Sequence, residues 1–87
     1  MNARTTHLYN VEEIDEAIIE SSIKEVYEAL KEKGYNPVNQ ITGYFISNDP
    51  GYISSYKNAR KKMKAIDKNK LFELLLKKYI GDDEWNT

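Results

Sequence analysis

The feature of this sequence that most constrains its fold is a series of helix-ending and helix-starting residues within 33–56. Gly34 can adopt the left-handed backbone conformation that ends a helix, and the Asn36-Pro37 pair that follows can cap and open the next one. Asp49-Pro50 repeats this capping pattern further along the chain. The sequence therefore predicts short helices joined by tight turns.

Apolar residues recur at helical spacing before the first of these turns. Asn10 is placed to cap a first helix, with Glu13 three residues later as its capping-box partner. Spacings of three and four residues suit a helical face rather than a strand. The predicted inner face of this helix consists of Ile14, Ile18, Ile19, Ile23, Val26, Tyr27 and Leu30.

A second helix is predicted over about 37–47, because apolar residues again recur there at helical spacing. Its predicted inner side carries Val38, Ile41, Tyr44 and Phe45. Gly43 lies inside this helix, where glycine is unfavourable. We interpret Gly43 as a residue that permits close packing, although a glycine that is merely tolerated is an open alternative.

Two more helices are predicted after Asp49-Pro50. The third carries its apolar residues at Ile53, Tyr56, Ala59, Met63 and Ile66, and its basic residues at Lys57, Arg60, Lys61, Lys62 and Lys64. Asp67 is a good cap for the fourth helix, which Gly81 ends. The apolar residues of the fourth helix, on more than one face, are Leu71, Phe72, Leu74, Leu75, Leu76, Tyr79 and Ile80. They are expected to serve the core or a dimer interface.

The length of the chain favours one small domain that associates with a second copy. With 87 residues, it is expected to bury only about 60% of its unfolded surface. We predict an all-α fold, a small compact bundle of four to five short helices, which forms a homodimer. The predicted organisation is a flexible regulatory arm at 1–9, a single helical domain at 10–81 and an acidic tail at 82–87.

Several classes of function are disfavoured by composition. The chain has no cysteine and only one histidine, His7, so neither a thiolate metal site nor an imidazole cluster is expected, and we predict no metal and no cofactor. No nucleophile elbow, phosphate-cradling loop or zinc motif is present, so no catalytic residue is proposed. The chain lacks an apolar run of about 20 residues and a signal-peptide core, which predicts a cytoplasmic protein without membrane insertion.

Charge is unevenly distributed along a chain whose net charge is −1. Residues 12–33 contain eight acids and three lysines, a net charge of −5, whereas residues 57–70 contain seven cations and one acid, a net charge of +6. The two segments could attract each other. They could also be ordinary solvated helix faces, or the basic one could be a docking surface.

A small DNA-binding regulator is the alternative function that the basic third helix suggests. Tyr52 and Tyr56 lie near Arg60 and several lysines, and short helices with tight turns invite comparison with a helix-turn-helix. The slightly acidic total charge disfavours this alternative, so no nucleic-acid partner is expected. An unrelated structural interaction module is a third possibility.

An ordered set of residues across nearly the whole chain resembles the IreB family of small regulators in Gram-positive bacteria. The matching residues are Val26-Tyr27, Leu30, the run Glu32-Lys33-Gly34-Tyr35-Asn36-Pro37-Val38-Asn39-Gln40-Ile41, Gly43-Tyr44, Asp49-Pro50, Tyr52-Ile53 and Ala59-Arg60. Those expected to have structural roles are Gly34, Tyr35, Asn36, Pro37, Asn39, Gln40, Gly43, Tyr44, Asp49, Pro50 and Tyr52.

The resemblance implies a helical homodimer without enzymatic activity. It further implies phosphorylation on an N-terminal threonine by a membrane serine/threonine kinase, with a cognate phosphatase that reverses the modification. The unphosphorylated regulator would restrain peptidoglycan synthesis by promoting Clp-dependent degradation of a cell-wall precursor enzyme, the UDP-N-acetylglucosamine enolpyruvyl transferase. Phosphorylation would relieve this, and beta-lactam tolerance would depend on the balance.

Residue by residue, the resemblance places the regulatory threonine at Thr6, with Thr5 as the adjacent alternative. The place of a second phosphorylated threonine in some relatives is Ala3 here. Relatives also carry arginines along the third helix that are thought to make the regulator's contacts. This chain keeps Arg60 but has Ser55, Lys64 and Lys68 at the other matching places. We expect Arg60, Lys61 and Lys64 to bind a partner, although lysine cannot reproduce a bidentate guanidinium contact.

Overall fold

The computed structural model describes residues 11–81 of the chain, and within that range every regular element is helical. This confirms the all-α prediction. The arm at 1–9, the capping residue Asn10 and the tail at 82–87 lie outside the described residues. The elements are α1 (Val11–Glu32), α2 (Pro37–Ser47), a 3-10 turn (Pro50–Tyr52), a second 3-10 turn (Tyr56–Asn58), α3 (Ala59–Lys64) and α4 (Lys68–Ile80).

The end of α1 has the hydrogen bonds of a Schellman motif. Gly34 lies at a φ of +93°, which favours glycine. The Tyr35 N–H donates to the Leu30 carbonyl at 2.9 Å, and the Gly34 N–H donates to the Lys31 carbonyl at 3.0 Å. Because these bonds satisfy carbonyl groups that would otherwise lack partners, they end the helix. The predicted stop at Gly34 is confirmed.

The start of α2 also follows the predicted capping pattern. The Asn36 side-chain oxygen accepts a hydrogen bond from the Asn39 N–H at 3.1 Å, and Pro37 occupies the first helical turn. Asp67 caps α4 in the same way, accepting from the Asn69 N–H at 2.9 Å. Both predicted helix starts are confirmed.

The single third helix predicted after Asp49-Pro50 is wrong. Asp49 accepts a hydrogen bond from the Gly51 N–H at 2.9 Å, but this cap opens only a 3-10 turn. The chain then becomes extended at Ile53, and Lys57 and Asn58 adopt left-handed conformations with φ of 49° and 64°. A right-handed helix cannot continue through two left-handed residues. The α-helical part of this region is therefore only the six residues of α3.

Contacts made at long range keep this region from becoming a helix. The Gln40 side-chain oxygen accepts a hydrogen bond from the Ser54 N–H at 2.9 Å and ties the extended segment to α2. The side chain of Ile53 is fully buried, with 0% exposure. Burying a side chain of this size contributes roughly 1.5–3 kcal/mol, which exceeds any local helix preference of a few residues.

The core lies between the inner face of α1 and the elements that follow α2. α3 runs antiparallel to α1, because Lys57 pairs with Glu32 while Lys62 pairs with Glu25 further back along α1. The buried apolar residues are Ile19, Val26, Ala29, Leu30, Tyr44, Ile53, Ala59, Met63, Ile66, Leu71 and Leu74. No helix within residues 11–81 has both the length and the apolar content needed to cross a bilayer.

Part of the predicted inner faces is exposed. Ile14, Ile18 and Tyr27 on α1 are exposed, and Val38 on α2 is 63% exposed, so these predictions of burial are wrong. Helical spacing identifies a face but not how far along the helix a neighbour covers it. Since α3 has only six residues and lies beside the Glu25–Glu32 end of α1, it leaves Ile14 and Ile18 near the other end uncovered.

Gly43 allows the aromatic ring of Tyr52 to lie against α2. A Cβ atom at position 43 would lie 2.6 Å from Cδ1 and 3.1 Å from Cγ of Tyr52, which is closer than packed atoms approach. The prediction that Gly43 permits close packing is confirmed. The 3-10 turn carrying Tyr52 therefore depends on a residue without a side chain in the facing helix.

We expect Gly43→Ala to lower the free energy of unfolding by about 1 kcal/mol, because the clash outweighs the gain in helix propensity. In a Tyr52→Ala background the same substitution should instead stabilise the protein by up to about 1 kcal/mol, since only the propensity gain remains. Urea denaturation of the four proteins in this double-mutant cycle measures both effects. An equal destabilisation in both backgrounds would contradict the proposed contact.

Candidate functional site

Carboxylates of α1 form ion pairs with lysines of the second half of the chain. The nitrogen–oxygen distances run from 2.8 to 3.5 Å. The pairs are Glu32–Lys57, Glu25–Lys62, Asp15–Lys70, Glu16–Lys77 and Glu20–Lys78. The acidic and basic segments therefore do attract each other, as one of the sequence interpretations holds. The side chains remain partly exposed, so water and salt screen each pair and the pair adds little to stability.

Glu32 is the centre of a small network at the end of α1. Its carboxylate accepts hydrogen bonds from the Lys57 ammonium at 2.8 Å and from the Tyr56 hydroxyl at 3.2 Å. These two donors, Lys57 first, lower the pKa of Glu32, and the same contact raises the pKa of Lys57. The Lys33 ammonium lies 5.1 Å from the centre of the Tyr56 ring. The network joins the end of α1 to the turn that precedes α3.

The ion pairs of Glu20 and Glu32 make the free energy of unfolding fall as the pH becomes acidic. A hydrogen bond from Lys78 and its charge lower the pKa of Glu20, and Lys57 acts likewise on Glu32, both relative to 4.5. Because the folded state holds these carboxylates in their ionised form, their contribution is present above pH 4.5 and is lost as the pH falls through the lower folded pKa values.

We expect the variant combining Glu20→Gln and Glu32→Gln to show a weaker fall in the free energy of unfolding between about pH 5 and pH 3 than the wild type. Denaturant unfolding across this range measures the slope. Glu28→Gln is the control, because Glu28 is a carboxylate of α1 outside the five ion pairs. An unchanged slope in the double variant would contradict the role given to these pairs.

Three cations of α3 have no carboxylate partner among residues 11–81. They are Arg60, Lys61 and Lys64, whereas their neighbours Lys57 and Lys62 face α1 and are paired. All three line one open cleft of about 190 Å³. The structure thus brings together the three residues that the sequence predicts to bind a partner. We call this the basic cleft; its lining is Ser55, Asn58, Arg60, Lys61 and Lys64.

Arg60 is held in place by the extended segment that precedes α3. Its side-chain Nε donates a hydrogen bond to the Ile53 carbonyl at 2.8 Å, and its backbone N–H donates to the Ser54 carbonyl at 3.0 Å. The terminal nitrogens of the guanidinium make no hydrogen bond or ion pair with another described residue. The terminal N–H groups of Arg60 therefore face the basic cleft, and the hydrogen bond to the carbonyl of the buried residue Ile53 fixes their position.

Ser55 and Asn58 complete the basic cleft, and the sequence interpretation did not include Asn58. Each occupies a capping position, yet neither side chain makes a capping hydrogen bond. Asn58 reaches the cleft because its backbone is left-handed, a conformation that asparagine tolerates better than most residues. The tendency of asparagine toward this conformation is the signal that the sequence offers, and the helical periodicity of the region masks it.

Other predicted site residues have structural roles. Tyr44 is buried, and the Lys68 ammonium lies 4.7 Å from the centre of its ring. Lys68 also donates a hydrogen bond to the side chain of Asn48, at the end of α2. Lys68 therefore joins α4 to α2 and does not line the basic cleft. Tyr35 is exposed.

The apolar residues of α4 divide between the core and the surface. Leu71 and Leu74 are buried, whereas Phe72, Leu75 and Tyr79 are exposed, Tyr79 by 90%. The three exposed residues share one side of the helix because they are separated by three and four positions. We call them the apolar strip of α4. Its Phe72 ring extends toward α2, with its centre 6.4 Å from that of Phe45.

The predicted phosphorylation sites Thr6 and Thr5, and the neighbouring His7, lie outside the described residues. Among the residues that the structure describes, no three histidine, cysteine, aspartate or glutamate side chains are grouped so that they could hold a metal ion.

The helical fold and its surface define a small all-α domain with an open basic cleft and an exposed apolar strip. The family model of the IreB regulatory phosphoprotein matches residues 4–81, and the chain belongs to this family. It is also similar to a UPF0297 protein of Ruminiclostridium cellulolyticum, with 41% identity over 80 residues that cover 92% of this chain and 91% of that protein. The resemblance seen in the sequence is confirmed, and the family supports a regulatory role.

Proposed function

We propose that this chain is a non-enzymatic regulator controlled by phosphorylation of Thr6, with Thr5 as the adjacent alternative. The kinase is a membrane serine/threonine kinase, which transfers the terminal phosphoryl group of ATP to the threonine hydroxyl and releases ADP and a proton. A cognate phosphatase hydrolyses the ester with water, which restores the hydroxyl and releases inorganic phosphate. The observation that carries the proposal is the match to a family of regulatory phosphoproteins, which begins at residue 4 and so includes both threonines.

The proposed role is a restraint on peptidoglycan synthesis in the cytoplasm. In this proposal the unphosphorylated chain directs the UDP-N-acetylglucosamine enolpyruvyl transferase to Clp-dependent degradation, and phosphorylation relieves the restraint. Beta-lactam tolerance follows the amount of that enzyme. The support for these steps is membership of the family and the presence of a surface suited to protein contacts.

The proposed partner-binding surface is the basic cleft. Arg60, Lys61 and Lys64 have no described carboxylate partner, so binding an acidic surface does not require an internal ion pair to break first. Arg60 supplies the planar guanidinium, whereas Lys61 and Lys64 supply point charges. The partner favoured by this chemistry is a protein with an acidic patch.

Two features argue against the alternative of a DNA-binding regulator. α3 has only six residues, which is short for a helix that reads the major groove. Lys57 and Lys62 are engaged by carboxylates of α1, which reduces the positive surface available to phosphates of a duplex. We therefore expect no nucleic-acid partner.

The proposed homodimer uses the apolar strip of α4. Phe72, Leu75 and Tyr79 together expose aromatic and aliphatic surface on one side of a helix. Such a surface gains free energy when a second copy removes it from water, at roughly 25 cal/mol per Å² of apolar area. A small chain of this kind buries too little of its surface alone, so a second copy adds stability.

Incubation with the organism's own membrane serine/threonine kinase and ATP should add phosphate to Thr6. We expect intact-mass and peptide mass spectrometry to locate it there, to find it lost in Thr6→Ala and to find it retained in Thr5→Ala. The matched alanine variants act as each other's control. Absence of phosphate on both threonines, while a control substrate is phosphorylated, would separate this chain from the proposed signalling role.

Analytical ultracentrifugation should give the mass of a dimer for the wild type. Leu75→Lys should shift the population toward the monomer, because it places a charge in the proposed interface. Ile46→Lys is the matched control, since Ile46 is 82% exposed on α2 and lies outside the apolar strip of α4. A monomeric wild type at the concentrations tested, or equal effects of the two substitutions, would contradict this interface.

A further inference from the structure

We propose that Lys61 and Lys64 are acylation sites, and that the basic cleft binds the donor, an acyl phosphate, through its phosphate group. The cleft thus serves as a small-molecule site in addition to a protein-binding surface. The acyl transfer depends only on residues that the structure describes. Its consequence for a partner rests on the proposed function.

The first argument is which lysines are available as nucleophiles. A lysine attacks an acyl group through its neutral amine, and a neighbouring carboxylate favours the charged form instead. Lys57 donates a hydrogen bond at 2.8 Å to Glu32, which raises the pKa of Lys57. Lys62 lies 3.0 Å from a carboxylate of α1. Lys61 and Lys64 are exposed and have no carboxylate partner among residues 11–81, so this protection is absent.

The second argument is the position of Arg60, which suits the phosphate end of the donor. Its Nε donates to the Ile53 carbonyl at 2.8 Å, and this hydrogen bond restricts the side chain before a ligand arrives. Less conformational freedom is therefore lost on binding. The terminal N–H groups match the spacing of phosphate oxygens. The Ser55 hydroxyl and the Asn58 amide, which make no capping hydrogen bond, add neutral donors to the same cleft.

The third argument is the spacing of the cations along α3. Lys64 lies four positions after Arg60 and three positions after Lys61. Side chains at these separations are neighbours on a helix surface, with their Cβ atoms about 5–6 Å apart. In an acyl phosphate the acyl carbon is joined to phosphorus through a single bridging oxygen. A donor whose phosphate rests on the guanidinium therefore holds its acyl carbon beside the lysine amines, and this proximity accelerates the transfer.

The acyl group passes from a phosphate oxygen to a lysine nitrogen. The lone pair of the neutral Nζ forms a bond to the acyl carbon, and the bond between that carbon and the bridging oxygen breaks. Inorganic phosphate leaves with the electron pair of the broken bond, and the amine releases a proton to water. The product is an amide, so the lysine loses its positive charge.

Acylation would change what the basic cleft binds. Among the described residues that line the cleft, Arg60 would be the one cation left. The acidic partner of the proposed function would then bind less tightly, because two of the three positive charges are lost. The supply of acyl phosphate would in this way regulate the partner surface without a change in the helical fold.

The test measures the acetylation rate of each lysine in the full chain by peptide mass spectrometry, at mildly alkaline pH. Two donors are compared: acetyl phosphate, and the neutral N-hydroxysuccinimide ester of acetic acid. With acetyl phosphate we expect Lys61 and Lys64 to react about fivefold or more faster than Lys33. Lys33 is an exposed lysine outside the five ion pairs and the cleft. The advantage should disappear in excess inorganic phosphate, and it should be absent with the neutral ester.

Arg60→Gln should remove the advantage with acetyl phosphate while leaving the rates with the neutral ester unchanged, whereas a loss of fold would change both sets of rates. Lys24→Gln is the matched control, because it removes a positive charge beside a different groove. It should change neither set. Glu32→Gln should raise the rate at Lys57 by about twofold or more with the neutral ester, since the carboxylate no longer favours the ammonium form.

Equal rates at Lys61, Lys64 and Lys33 with acetyl phosphate would overturn the proposal. The same advantage with the neutral ester, or an advantage that survives excess inorganic phosphate, would also overturn it, because the lysines would then be reactive without a donor site. Failure of the kinase to modify Thr6 would count against the proposed function alone, since the acetylation rates are measured on the chain by itself.

Discussion

The hydrogen bond from the Ser54 N–H to the side chain of Gln40 is the interaction on which the rest of the structure depends. It holds the segment before α3 in an extended form against α2, so that the Ile53 side chain enters the core. With Ile53 buried, its carbonyl becomes a firm acceptor for Arg60. Core packing and the position of the key arginine thus have a common origin.

The ion pairs of α1 decide which cations remain for other molecules. Lysines that face α1 meet carboxylates, as Lys62 meets Glu25 at 3.0 Å on the partly exposed surface between the two helices. Lys61 and Lys64 are on the same short helix but line the basic cleft instead. Individually these exposed pairs add little stability. Their larger effect is to divide one basic stretch of sequence into lysines that pair with α1 and cations that can bind another molecule.

The helix boundaries with a local chemical cause could be read directly from the sequence. Gly34, Asn36 and Asp67 act within a few residues of themselves, through a positive φ or a side-chain cap, so no knowledge of distant residues was needed. Family membership was equally accessible, since it depends on an ordered set of residue types. The proximity of Arg60, Lys61 and Lys64 followed from their closeness in the chain.

The sequence by itself therefore determined the helical class, the turns at Gly34 and Asn36 and the family. The break before α3 was decided only by the tertiary structure, because it depends on Gln40 meeting Ser54 and on the burial of Ile53, both contacts between residues distant in the chain. Asn58 lines the cleft through its left-handed backbone, which a helix over this region would not have allowed. Helical periodicity describes one helix at a time. Which apolar residues are buried, and which charged residues stay unpaired, depends on the neighbour against which each helix packs.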